Sequence, residues 1–93
     1  MYATVRSYAG NSALADALVE HEGEVESLIT GIDGFKAYYL IRTSAGTVSV
    51  TVYDDSAGAE ESNRQAADWL RENLPDLAVS APDVSAGDVV ISA

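Results

Sequence analysis

The stretch 47–53 constrains the fold most. There Val48, Val50 and Val52 alternate with Thr47, Ser49, Thr51 and Tyr53. A period of two sends the two sets to opposite sides of an extended strand, and β-branched residues favour that backbone. Upstream, residues 35–42 are aromatic and β-branched enough for a second strand. The connection Thr43-Ser44-Ala45-Gly46 has the length and the glycine of a hairpin loop, so these two strands pair antiparallel.

Residues 2–8 show the same alternation, with Ala3, Val5 and Ser7 set against Tyr2, Thr4, Arg6 and Tyr8. Gly10-Asn11-Ser12 breaks that strand, and Asn11 or Ser12 suits a helix N-cap. Across 13–29 the apolar residues Leu14, Leu18, Val25, Leu28 and Ile29 trace one helical stripe, which Gly31, Asp33 and Gly34 close. Asp54-Asp55-Ser56 supplies caps for a second helix, and Glu60 and Glu61 suit its positive end. Its stripe is Ala59, Ala66, Leu70 and Leu74, with Ala67 and Trp69 beside it, and it stops near Pro75. Residues 77–87 read as a loop and 88–92 as a short last strand.

The order is therefore βαββαβ, expected as a single domain over 1–93. That order is the α+β, ferredoxin-like arrangement: a four-stranded antiparallel sheet with two helices on one face. Right-handed crossovers put strands one and three in the middle and strands two and four at the edges. Val48, Val50 and Val52 are expected to meet the helices. The other face then carries Tyr2, Thr4, Arg6, Tyr8, Tyr38, Leu40, Ser49, Thr51 and Tyr53. So many rings exceed what a small monomer leaves uncovered, and a second copy is the expected cover.

Composition removes several functions. The chain of 93 residues has room for one core. Fifteen acidic residues against five basic ones give a net charge of −10. Nucleic-acid phosphates and anionic membranes both select Lys and Arg, so neither is an expected partner. The absence of cysteine removes disulfides, thiolate catalysis and Cys-ligated metals. No apolar run approaches ~18 residues, and the first residues lack the pattern of a signal peptide, so a cytoplasmic location is expected. Acids gather on the helices and their ends: Glu20, Glu22, Glu24, Glu26, Asp54, Asp55, Glu60 and Glu61. With lysine used once, this reads as a solvated surface adapted to high salt rather than a cation site. A salt-loving source is the corresponding expectation.

The hairpin 34–41 and 46–53 (GFKAYYLI and GTVSVTVY) resembles the central hairpin of small dimeric α+β barrel proteins, and 61–70 (ESNRQAADWL) is similar to their second helix. These are proteins of the antibiotic-biosynthesis-monooxygenase-like superfamily, and the resemblance runs from the first strand to Val89-Val90-Ile91. It implies a homodimer whose sheets face each other around a cavity. Its catalytic members oxidise polycyclic aromatic substrates without a cofactor, or cleave haem with a histidine, an asparagine and a tryptophan. This sequence departs from the haem pattern, since its only histidine, His21, lies on the first helix. Asn63 and Trp69 are of the right type without the spacing, so no catalytic residue is carried over and no cofactor is expected.

Read from the residues, the alternatives stay open. His21 beside Glu22 and Glu24 makes a poor transition-metal site and is an ordinary helix-flank histidine; no metal is expected. Asp54 and Asp55 diverge at a strand end, which suits capping rather than a general acid–base pair. Trp69 suits packing. No Gly-x-Gly-x-x-Gly, P-loop, Gly-x-Ser-x-Gly or His-Glu-x-x-His pattern occurs. The remaining candidate is the uncovered sheet face, with Thr4, Arg6, Tyr38, Ser49, Thr51 and Tyr53 as ligand-binding residues. Their mix of rings, hydroxyls and one cation suits a small aromatic or anionic ligand inside the barrel. The alternative is a cofactor-independent monooxygenase acting on an activated aromatic substrate, with Tyr38, Tyr53 and Arg6 as donors.

Overall fold

The computed structural model describes residues 1–9, 12–75 and 82–93. The elements run β1 (Tyr2–Ala9), α1 (Ser12–Glu20), α2 (Glu22–Thr30), β2 (Phe35–Thr43), β3 (Gly46–Tyr53), α3 (Ser56–Asn73) and β4 (Asp83–Asp88). The strands form one antiparallel sheet in the order β2-β3-β1-β4, as right-handed crossovers require. The cap expected from Asn11 or the Ser12 side chain, and the expected loop over 77–81, fall outside the described residues.

The long second helix follows its sequence. The Asp55 carboxylate accepts from the Gly58 amide at 3.2 Å, and the helix ends one residue before Leu74-Pro75. Before β2, Gly34 takes φ +84°, a conformation in which a Cβ is strained, and its carbonyl accepts from the Asp54 amide at 2.8 Å. That bond ties the start of β2 to the end of β3.

Three expectations are corrected. The first helix is two helices, because His21 leaves helical geometry at φ −107° and ψ 27°. Its amide bonds back to the Leu18 carbonyl, three residues away, while its own carbonyl accepts from Val25 to start α2. Gly23 and the crowded acids around it give this segment little helix propensity to resist the break. The last strand is 83–88, not 88–92. It runs antiparallel to β1 from Ser7 opposite Asp83 to Tyr2 opposite Asp88, and β1 then runs out. One more bond, from the Val89 amide to the Met1 carbonyl, ends the pairing, and Val90 and Ile91 are exposed.

The third correction concerns the two sides of the sheet. Thr4, Arg6, Tyr8, Thr47, Ser49, Thr51 and Tyr53 are buried, and they face the helices. Val48, Val50 and Val52 lie on the opposite face with Ala37, Val5, Tyr39 and Ile41; Tyr39 is 63% exposed. At Tyr53 the reason is side-chain length. The sheet lies against small residues of α3, chiefly Gly58, Ala59 and Ser62, which are buried. The Tyr53 ring fills the space over them, which a valine there would leave hollow. The Tyr53 ring shows the fit, since a Cβ placed on Gly58 would stand 2.9 Å from its Cδ1. Tyr53 is the sheet's member of the core cluster with Val25, Ile29, Ile32 and Ala59, and Phe35 meets it edge-on at 5.9 Å.

Candidate functional site

The pairing register sets the helix-facing residues in rows across β1, β3 and β2. Tyr2, Tyr53 and Phe35 form one row, and Thr4, Thr51 and Tyr38 the next. Arg6, Ser49 and Leu40 follow, then Tyr8, Thr47 and Arg42. All six candidate residues therefore share one face, as the alternation implied. It is the helix-covered face, so they cannot line the space between two facing sheets; the valine face would do that.

Between sheet and helices lies a cavity of about 40 Å³. Arg6, Tyr8, Tyr38 and Ser49 form its floor, and Leu18, Val25, Trp69 and Leu70 stand among the helical residues above. Three of the six candidates thus reach the cavity. Thr4, Thr51 and Tyr53 share the face without lining it. The Tyr53 hydroxyl donates to the Ile29 carbonyl at 2.7 Å, so its proton is committed to holding α2 on the sheet. Trp69 lines the cavity and Tyr8 joins its floor; the sequence reading had placed Trp69 in packing and left Tyr8 out of the candidates. The alternation already put Tyr8 on the Arg6 face, and the step from Ala66 to Leu70 put Trp69 beside the buried stripe. These were the available signals.

The electrostatics centre on Arg6, which is only 6% exposed. Lys36 pairs with Asp54 at 3.1 Å, Arg42 with Asp16, Arg64 with Glu61 and Arg71 with Asp68. Arg6 has no acidic partner among the described residues, and its Nε, together with Thr4 Oγ1, Ser49 Oγ and Thr51 Oγ1, makes no hydrogen bond there. A buried, unpaired guanidinium costs several kcal/mol unless something neutralises it. Burial also pushes the Tyr38 phenol above its ordinary value of 10, against the opposing pull of the Arg6 charge. At neutral pH the pair is therefore a cation beside a protonated hydroxyl, two donors able to serve one oxyanion.

The other sequence candidates do not converge. His21 meets the Trp69 ring edge-on at 5.4 Å, and its Nδ1 lies 3.6 Å from Glu24. Asp54 is held by Lys36, while Asp55 caps α3. Among the described residues no three His, Asp or Glu side chains gather as metal ligands.

No protein-family model and no curated protein matches this sequence. Solved structures do. The haem degrader MhuD of Mycobacterium tuberculosis, with two haems bound in its active site, matches at TM-score 0.72 and 10% identity, covering 100% of this chain and 99% of that one. A protein of unknown function from Nitrosomonas europaea matches at TM-score 0.68 and 23% identity, with 99% and 90% of the chains covered. A monooxygenase of Streptomyces coelicolor in complex with nanaomycin D matches at 0.63 and 20%, over 98% and 91%. At these identities the likeness is one of fold. It agrees with the ferredoxin-like α+β fold expected from the order of strands and helices.

The residues present do not fit a haem. A drug-sized ligand takes roughly 300–1,000 Å³, whereas the cavity at Arg6 holds about 40 Å³. The one histidine sits on the junction of α1 and α2, against the Trp69 ring and Glu24, and is not in the cavity lining.

Proposed function

We propose that this chain binds a small organic ligand in the layer between its sheet and its helices, with a carbonyl or anionic group on Arg6. One observation carries the reading: a guanidinium 6% exposed, at the floor of a cavity, with no carboxylate among the described residues to neutralise it. A ligand oxyanion supplies the missing charge, Ser49 offers a free hydroxyl at the same floor, and the Trp69 ring lines the same cavity, where it reports on what enters. Structures of the same fold hold haem or nanaomycin D, which supports ligand binding as the use of this architecture. Titration with 1-naphthoate, followed by Trp69 emission and the Arg6 Nε–H resonance, tests it. A saturable shift of both signals is expected, and the Trp69 shift should disappear in Arg6→Gln. An Arg6 resonance that does not move at millimolar probe overturns it.

A second reading, cofactor-independent oxygenation of an activated aromatic, draws on one specific observation: the Tyr38 phenol and the Arg6 guanidinium line the same cavity. Two donors of this kind stabilise an arene oxyanion, from which the substrate itself supplies the electron to oxygen. Tyr53 leaves the donor set, because its hydroxyl serves Ile29. Oxygen uptake with 1,4-dihydroxynaphthalene is the test. A rate indistinguishable from that of Tyr38→Phe and Arg6→Gln removes this reading.

The proposed partner is a second copy, now through the valine face rather than the tyrosine face. Val5, Val50 and Tyr39 lie side by side there, without a helix over them. The acidic surface is proposed as an adaptation to high salt, and the cytoplasm as the location. No helix among the described residues is long and apolar enough to cross a membrane.

A further inference from the structure

We propose that the ligand of this site has one anionic end and an uncharged, apolar body, and that it enters along the outer edge of β2. The inference rests on the reading of the Arg6 cavity as a ligand site. About 40 Å³ takes a group the size of a carboxylate, little more than one water's share of liquid volume at ~30 Å³. The remainder of any larger molecule must lie elsewhere. The adjoining space is a groove of about 290 Å³ between the edge strand β2 and the helices, walled by Val19, Tyr39 and Leu40. Among the described residues Leu18, Val25 and Tyr38 line both spaces, which puts these side chains at the boundary of groove and cavity. Leu18 belongs to α1 and Val25 to α2, and the helical path breaks at His21 between them. The two helices can therefore separate at this wall without breaking a helix interior.

Charge then selects the occupant. Among the described residues the cavity offers one cation, Arg6, whereas the groove offers none: its charged lining residues are Glu22 and Glu26. A second anionic group in the groove would lie beside two carboxylates and apolar walls, with no cation to meet it. A monoanion with its charge on Arg6 and its hydrocarbon in the groove satisfies both spaces.

The test compares 1-naphthoate, the neutral 1-naphthalenemethanol and naphthalene-1,4-dicarboxylate by calorimetry at one ionic strength. It uses the natural chain, Arg6→Gln, and Glu22→Gln combined with Glu26→Gln. The exposed glutamates change without burden on the core, and folding of Arg6→Gln is verified by its circular dichroism and melting curve. 1-Naphthoate should bind about tenfold or more tightly than either relative, as a lost charge pair or a like-charge contact costs a kcal/mol or more. The Glu22→Gln, Glu26→Gln protein should recover dicarboxylate binding several-fold while leaving the naphthoate-to-alcohol ratio in place. Equal binding of mono- and dicarboxylate, both lost in Arg6→Gln, overturns the charge selection and leaves the Arg6 site standing. Equal binding of acid and alcohol overturns the anionic end. Absence of binding, or binding that folded Arg6→Gln retains, overturns the site itself and this inference with it.

Discussion

The hydroxyl of Tyr53, on β3, donates to the carbonyl of Ile29, on α2, across a distance of 2.7 Å, with Tyr53 fully buried. This bond crosses the main packing layer of the molecule and joins residues 24 apart in sequence. Removing the hydroxyl in Tyr53→Phe leaves the ring in place and a buried carbonyl short of a donor. A stability loss of about 1–2 kcal/mol is expected, measured as a lower denaturation midpoint in urea with an unchanged slope. An unchanged midpoint would show the bond to contribute nothing.

Two glycines in helices should respond oppositely to the same substitution. In Gly58→Ala the new methyl meets Tyr53 Cδ1 at 2.9 Å and the Asp33 carbonyl at 3.1 Å. Overpacking of this kind costs about 1–3 kcal/mol, more than the ~1 kcal/mol that alanine gains in helix propensity. In Gly23→Ala nothing lies within 4 Å, so propensity acts alone and α2 gains about 0.4–1 kcal/mol. Melting temperatures moving the same way in both variants would contradict the packing described.

Much of this layer was legible in the sequence, and its sidedness was not. Alternation placed Thr4, Arg6, Ser49, Thr51 and Tyr53 in one set and the valines in the other, and the pairing register bears out that division. Periodicity cannot say which set meets the helices. The assumption that the apolar set turns inward failed at Tyr53, whose ring fills the space over Gly58 and Ala59 of α3 and brings its whole set to that side. The edge position of β4 followed from crossover handedness. Its residues did not, because 83–88 has little strand propensity and forms only by pairing with β1. The Asp55 cap was readable from local chemistry alone. The cavity was not, since it depends on Trp69 and Leu70 arriving over Arg6 from a distant part of the chain.

The Tyr38 and Tyr53 phenols are both pushed above 10, chiefly by burial. Between 10 and the raised folded values, the unfolded chain releases protons that the folded one retains. Their contribution is complete below pH 10 and falls as pH rises through that window. Titration at 295 nm should show absorbance from these rings lagging the free phenol, and Tyr38→Phe should remove part of the lag. A titration with no component above the ordinary phenol value would contradict their burial.

Replacing Arg6 by Met keeps most of the side-chain volume and removes an unneutralised charge from the interior. The ligand-free protein should hold its stability or gain about 1 kcal/mol or more. A loss above about 2 kcal/mol would indicate a structural partner for the guanidinium. The natural residue then offsets its own cost only when ligand is bound, the usual trade between stability and a binding site.

Val50 lies between Val5 and Tyr39 on the face without helices. A charge at that point would be buried in any sheet-to-sheet contact, so Val50→Glu should convert a dimer into a folded monomer. Light scattering should give about twice 9.8 kDa for the natural chain and about 9.8 kDa for the variant. A natural chain that scatters as a monomer at micromolar concentration would refute the second copy as partner.

The short strand β4 leaves the sheet with an outer edge unlike its centre. All six of its residues are exposed, and an aspartate stands at each end. Another chain adding itself there as a further strand would have to set its backbone between two negative charges, along a stretch containing Gly87 and little side chain to grip. Growth by strand addition is thereby resisted at this border of the sheet.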